Sequence, residues 1–174
     1  SRKMQKYLRL LNLRLDVVIK DITGLTGLAI IEAVCKGEVN SQTLASLRNG
    51  NCRKSEHEIA KALHSNRRAD FLFALQQEFE IYNTLQLKIG QCDIAIEKFI
   101  SENIGNDENK KDLKAVAKPH KRSNKNAPKN MDINQIAYQY FNGIDLMEIE
   151  GVSHSTVITL MSEVGYEGIK KFDS

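Results

Sequence analysis

Apolar side chains recur every three or four residues in two stretches of the chain before residue 104. This spacing places them on one stripe of an α-helix, as in helices that pack lengthwise on one another. The pattern predicts one helix over residues 4–22 and another over residues 70–103, about 50 Å long at 1.5 Å per residue. The stripe residues expected to hold helices together are Leu8, Leu11, Leu15, Tyr82, Leu85, Ile89, Cys92 and Ile96.

Short helices are predicted between these two long ones, because glycines and capping residues interrupt the pattern. Thr26 is expected to cap a helix over residues 27–36, and a further short helix is expected over residues 41–48. Ser55 and Glu58 form the S-x-x-E pattern of a capping box, which marks the start of another helix.

The whole pattern predicts an all-α fold, since no stretch alternates convincingly as a strand does. Residues 1–103 are expected to form a long antiparallel helical hairpin, capped by the short helices of residues 24–66. The second long helix exceeds what those short helices can cover, so we expect the hairpin to dimerise as a coiled coil. A monomeric helical bundle is the alternative.

The composition changes after residue 103, where large apolar side chains become rare. Residues 104–131 are therefore predicted to be a flexible linker. The linker is either a solvated spacer or a strap that binds phosphates, because Lys and Arg release counterions from nucleic acid. The basic residues that would contact phosphates are Lys118, Lys121, Arg122, Lys125 and Lys129.

A small helical piece is predicted over residues 132–174, with Asp132 as the N-cap of its first helix and Asn142-Gly143 at that helix's end. Its stretch "IEGVSHSTVITLMSEVG" has three interpretations. In a helix-turn-helix, the residues after the turn face the major groove. In a helix-hairpin-helix-like element, backbone N–H groups at the helix start bind a phosphate. In the third, Ser153 is only an N-cap. The candidate contacts are Gly151, Ser153, His154, Ser155 and Thr156.

Composition excludes several classes of protein. Charged residues make up 27% and the net charge is +3. No apolar run is long enough to span a membrane, and no secretory signal begins the chain. The three cysteines form no C-x-x-C pair, which argues for reduced thiols and a cytoplasmic location. No phosphate-binding glycine motif occurs, and the carboxylates of residues 132–150 do not form a credible metal site.

Three stretches in this order resemble transposases of the insertion-sequence 110 family: "LRLDVVIKDITGLTGLAIIEAVCKGE", "RADFLFALQQEFEIYNTLQLKIGQCD" and "HKRSNKNAPKNMDINQIAYQYFNGIDLMEIEGVSHSTVITLMSEVG". The resemblance implies a DNA recombinase with a RuvC-like acidic domain, a coiled-coil region and a C-terminal domain with a nucleophilic serine. This chain resembles the coiled-coil region and the beginning of the serine domain.

The resemblance also implies what this chain lacks. The family's acidic residues and serine match no residue here, so we expect no catalytic residue, metal site or cofactor in residues 1–174. A divalent metal is expected only for the acidic domain of the parent enzyme. The implied partners are DNA, a structured guide RNA and further copies of the chain, as a dimer or tetramer, with no membrane and no small-molecule substrate. The alternatives are a helical protein-interaction scaffold and a helix-turn-helix regulator.

Overall fold

The computed structural model describes residues 1–104, 116–121, 128, 130–169 and 171. These residues are mostly helical and contain no β-strand, so the predicted all-α class is confirmed for them. The chain divides into two units, Ser1–Gln86 and Leu87–Ser174. The helices are α1 (Arg2–Leu10), α2 (Leu15–Val18), α3 (Leu25–Cys35), α4 (Ser41–Ser46), α5 (Glu56–Ala62), α6 (Ala69–Ile104), α7 (Ile133–Tyr140), α8 (His154–Thr159) and α9 (Gly165–Ile169), with a 3₁₀ helix at Leu146–Glu148 and a π-helical turn at Leu160–Val164.

The prediction of one helix over residues 4–22 is wrong, because the chain turns after α1. Asn12 has a φ of +61°, which an α-helix does not accommodate. Its side-chain amide donates to the carbonyl oxygen of His64 at 2.9 Å. Leu13 then forms an isolated antiparallel bridge with Leu63. The Arg14 N–H donates to the Ala62 carbonyl oxygen at 2.8 Å rather than to a carbonyl of α1.

The core of the first unit contains the leucines of the first predicted stripe. Leu8 and Leu11 are 1% exposed and Leu15 is 0% exposed. They pack with buried side chains from α3, α4, α5 and the beginning of α6. Burying each such side chain contributes about 1.5–3 kcal/mol to folding.

The short helices follow their predicted order with different details. Gly24 is the N-cap of α3, and Thr26 is instead buried, where its hydroxyl accepts from the Asn49 N–H at 2.9 Å. The predicted capping by Thr26 is therefore wrong. The Ser55–Glu58 capping box is present as predicted.

Helix α6 is continuous over 36 residues and confirms the long predicted helix. Within the first unit, Leu75 is fully buried, and the Gln76 side chain donates to the carbonyl oxygen of Cys35 at 2.7 Å. Lys3 pairs with Glu78 at 3.3 Å near one end of α1, and Asn66 donates to the Leu10 carbonyl at the other.

The second unit has its own core around α7 and α8. The Asp132 side chain accepts from the Gln135 N–H at 3.2 Å, which confirms its predicted role as N-cap of α7. Positive φ values at Asn142 and Gly143 end this helix, as predicted. Phe141 and Val157 are 2% and 0% exposed and pack together with Ala137.

Candidate functional site

The second half of α6 presents apolar side chains to solvent. Leu85, Ile89 and Ile96 are 56%, 53% and 43% exposed, and the exposed Cys92 lies between them. Spacings of three or four residues align these four side chains along one side of the helix. We name this set the α6 stripe. An extended apolar surface of this kind marks an interaction site more often than an isolated exposed leucine does.

The remaining predicted interface residues lie elsewhere. Leu8, Leu11 and Leu15 belong to the core of the first unit, so they offer no surface to a partner and are corrected to core residues. Their burial follows from the turn after α1, which folds the segment onto α5 and α6. Tyr82 is half-buried and packs on the same core.

Another apolar pair lies on a different side of α6. Leu87 and Ile94 are each 58% exposed. Each precedes a member of the α6 stripe by two residues, which places it about 160° around the helix at 3.6 residues per turn. The pair therefore matches Ile89 and Ile96 in residue type, spacing and exposure, but faces away from the stripe.

The basic linker residues fall into two groups. Lys121 is exposed, and Lys118 forms an ion pair with Glu148. The hydrogen bond to Glu148, together with its negative charge, raises the pKa of Lys118 above its ordinary value. A phosphate would thus have to compete with Glu148 for this ammonium group. The remaining predicted contacts, Arg122, Lys125 and Lys129, lie outside the described residues.

Within the second unit, part of the linker contacts α7 and Asp145 through polar contacts that the sequence did not predict. The Ala117 N–H donates to Gln135 Oε1 at 2.9 Å, and the His120 N–H donates to Asn134 Oδ1 at 3.3 Å. His120 Nε2 lies 2.7 Å from Asp145 Oδ2. We name residues 117–120 the docked segment. No short-range motif identifies it, because its partners lie 14 to 30 residues further along the chain.

The start of α8 is satisfied by its own side chains. Ser153 is the N-cap, and its hydroxyl accepts from the Thr156 N–H at 3.3 Å. The Thr156 hydroxyl in turn accepts from the Ser153 N–H at 3.3 Å. Gly151 has a φ of +87°, as a tight turn before a helix requires. Ser153 is thus the N-cap of α8, while Gly151, Thr156 and the half-buried Ser155 remain at or near the surface.

His154 does not lie on the surface. It is 4% exposed, and its Nε2 atom lies 3.2 Å from Asn134 Oδ1 on α7. Its proposed contact with nucleic acid is therefore wrong, since the ring packs inside the second unit. The helix-turn-helix interpretation is also weakened, because only the three-residue 3₁₀ helix Leu146–Glu148 precedes the turn into α8.

Metal binding and membrane insertion are two further possibilities for the described residues. No group of three or more His, Cys, Asp or Glu side chains there is arranged to hold a metal ion. In that same part of the chain, no helix has both the length and the apolar content needed to cross a membrane.

Compared with models of protein families, with curated proteins and with solved structures, the chain matches none of them. A functional assignment therefore depends on the residues of this chain: the resemblance of its three stretches, the α6 stripe, and the basic linker with its docked segment.

Proposed function

We propose that this chain is the segment of a DNA transposase that joins copies of the enzyme and positions nucleic acid. Two features support the proposal. Three stretches resemble insertion-sequence 110 transposases in the same order, and the α6 stripe is an apolar surface available to a second copy. We assign no catalytic residue to this chain, and the divalent metal of the parent would be held by its acidic domain.

The proposed dimerisation depends on the α6 stripe. A second copy presents the same stripe, so a twofold pairing of two α6 helices covers both at once. Burying the exposed half of each leucine or isoleucine contributes about 1 kcal/mol, and both copies contribute equally. Heptad-like spacing suits a coiled-coil contact of this kind.

Replacing Ile89 and Ile96 by aspartate tests this interface. The double variant is expected to be monomeric in light scattering at concentrations where the unaltered chain is a dimer, because two carboxylates per copy would face each other in the seam. Both side chains are more than two-fifths exposed, so the fold of each copy should survive, which circular dichroism checks.

Leu87→Asp with Ile94→Asp is the matched control, since it adds the same charge to the same helix at equal spacing. This variant should remain dimeric. Dimers that persist in the Ile89→Asp/Ile96→Asp variant, or that are lost only in the control, would contradict the α6 stripe as the interface.

The nucleic-acid role depends on the linker. Lys121 is exposed, and Lys118 can exchange Glu148 for a phosphate at small cost, because water and salt screen an exposed ion pair. Cys35, Cys52 and Cys92 are all free thiols, which accords with a cytoplasmic location.

A helical protein-interaction scaffold is the second candidate function. The α6 stripe favours it as well, and so does the pairing of Lys118 with Glu148, which neutralises one of the linker's basic residues. Filter binding with structured RNA and with duplex DNA, at low and at moderate salt, separates the two candidates. The scaffold predicts no retention of either nucleic acid at either salt concentration.

A further inference from the structure

A cavity of about 570 Å³ opens in the first unit between two loops. One wall is formed by residues 18–26 and the other by residues 49–54. No residue of the α6 stripe or of the docked segment lines it. Its volume lies within the range of about 300–1,000 Å³ that is usual for small-molecule sites.

Hydrogen bonds hold both walls in place. The Asn49 N–H donates to the hydroxyl of the buried Thr26, which ties one loop to the other. The guanidinium of Arg48 donates to the carbonyl oxygens of Cys52 and Lys54, both at 3.1 Å, and so shapes the second loop. The cavity is therefore formed before any ligand enters, which lowers the entropic cost of binding.

The polar lining of the cavity favours an anion. Lys20 and Arg53 line it from opposite loops, and neither has an ion-pair partner among the described residues. Lys54 also lines it but pairs with Glu58 at 2.8 Å. Asp21 is the opposing charge, and its carboxylate accepts from the Thr23 N–H and hydroxyl at 2.9 and 2.7 Å.

The rest of the lining is apolar or carries amides. Val18, Ile19 and the 75% exposed Leu25 provide apolar contacts, and Asn51 provides a side-chain amide. Gly24, the N-cap of α3, lines the same cavity, so the positive end of that helix dipole adds to the attraction for an anion. Inorganic phosphate alone would occupy only a small part of this space.

We propose that this cavity binds a nucleoside phosphate. The phosphate contacts Lys20 and Arg53, and the base lies against Val18, Ile19 and Leu25. This chemistry is shared by a free nucleotide and by one nucleotide unit of a single strand. The inference goes beyond the proposed function, because it places a ligand in the first unit, whereas the linker belongs to the second. It depends on the cavity alone, since the sequence contains no phosphate-binding glycine motif.

Binding to the full chain tests the proposal, with Lys20→Gln/Arg53→Gln as the cavity variant. The probes are adenosine 5′-monophosphate, adenosine, inorganic phosphate and a short fluorescein-labelled single-stranded oligonucleotide. Calorimetry measures the small molecules and fluorescence anisotropy measures the oligonucleotide. The cavity variant is expected to bind the nucleotide or the oligonucleotide at least about tenfold more weakly, because each charge-assisted contact to a phosphate is lost.

Lys61→Gln/Arg14→Gln is the control, since it removes one lysine and one arginine that do not line the cavity. It should keep the affinity of the unaltered chain. Loss of affinity for both adenosine 5′-monophosphate and the oligonucleotide in the cavity variant supports a site open to free nucleotides. Loss for the oligonucleotide alone supports a site for one unit of a strand.

Two outcomes overturn the inference. In one, the cavity variant and the control bind every probe equally. In the other, inorganic phosphate binds as tightly as the nucleotide, which would reduce the site to a simple anion contact. If the cavity variant binds adenosine 5′-monophosphate as the unaltered chain does, and the oligonucleotide loses affinity only when Lys118 and Lys121 are replaced by glutamine, the cavity inference fails while the proposed role of the linker stands.

Discussion

Gly27 lies where the packing of the first unit leaves no space for a side chain. A Cβ atom at this position would lie 2.2 Å from the carbonyl oxygen of Ile22, and 2.6 and 2.7 Å from its C and Cα atoms. All three are backbone atoms, so they cannot move aside as a flexible side chain would. Gly27→Ala is therefore expected to lower the free energy of unfolding by at least about 2 kcal/mol, measured by urea denaturation.

Gly50→Ala is the matched control for this substitution. A Cβ atom there would meet no atom within 4 Å. Its effect should stay within about 0.5 kcal/mol, as for a typical surface change. Equal free energies of unfolding of the two alanine variants would show that the Ile22 backbone shifts to accommodate the added methyl group, which would contradict this prediction.

Cys35 is expected to be the least reactive thiol. Burial, and then the negative charges of Glu80 and Glu32, raise the pKa of Cys35 from 9.0 to about 11. Because the thiolate is the nucleophile, a rise of two units lowers the reactive fraction about hundredfold at pH 8. Alkylation followed by mass spectrometry should label the exposed Cys92 first and Cys35 last. Comparable rates for the two would contradict the burial of Cys35.

Single residues also show where sequence reasoning fails. From local pattern, Thr26 was assigned as a helix cap and His154 as a nucleic-acid contact at a helix start. In the fold both are buried, and their partners, Asn49 and Asn134, are 23 and 20 residues away. Only the tertiary structure reveals such partners, whereas Ser55 and Glu58 satisfy each other within one helical turn and were predictable.

At the scale of elements, the same contrast separates α6 from α1. α6 was predictable almost to its ends, because its apolar periodicity continues without a proline or a residue of positive φ. The first stripe has equal periodicity, but Asn12 and Leu13 leave the helix to contact residues 63 and 64. Local propensity is a weak prior that tertiary contacts override.

The docked segment yields a prediction about one element. His120→Ala removes the contact to Asp145 and leaves the backbone contacts of residues 117 and 120 and the Lys118–Glu148 ion pair to hold the segment. Hydrogen exchange at these two amides should become roughly tenfold faster, since a hydrogen bond to a charged group contributes about 1.5–3 kcal/mol. His57→Ala, on the exposed side of α5, is the control and should leave both rates unchanged. Unchanged exchange in His120→Ala would mean that the ring does not hold the segment.

At the scale of the whole molecule, dimerisation and nucleic-acid binding should be coupled. Each copy contributes one basic linker, so a dimer can place two linkers on one duplex and gain from the high effective concentration of the second. The logarithm of the binding constant falls with the logarithm of salt concentration by about 0.9 per phosphate contact. A dimer that engages both linkers therefore has about twice the slope of a monomer.

The Ile89→Asp/Ile96→Asp variant should consequently show about half the salt slope of the unaltered chain, measured by anisotropy of a labelled duplex at several salt concentrations. Leu87→Asp/Ile94→Asp adds the same negative charge and should keep the full slope, which separates the effect of dimerisation from that of charge. Equal slopes in all three proteins would mean that only one linker binds at a time. Equal reduction in both variants would mean that the added charge alone is responsible, because the control leaves the α6 stripe intact.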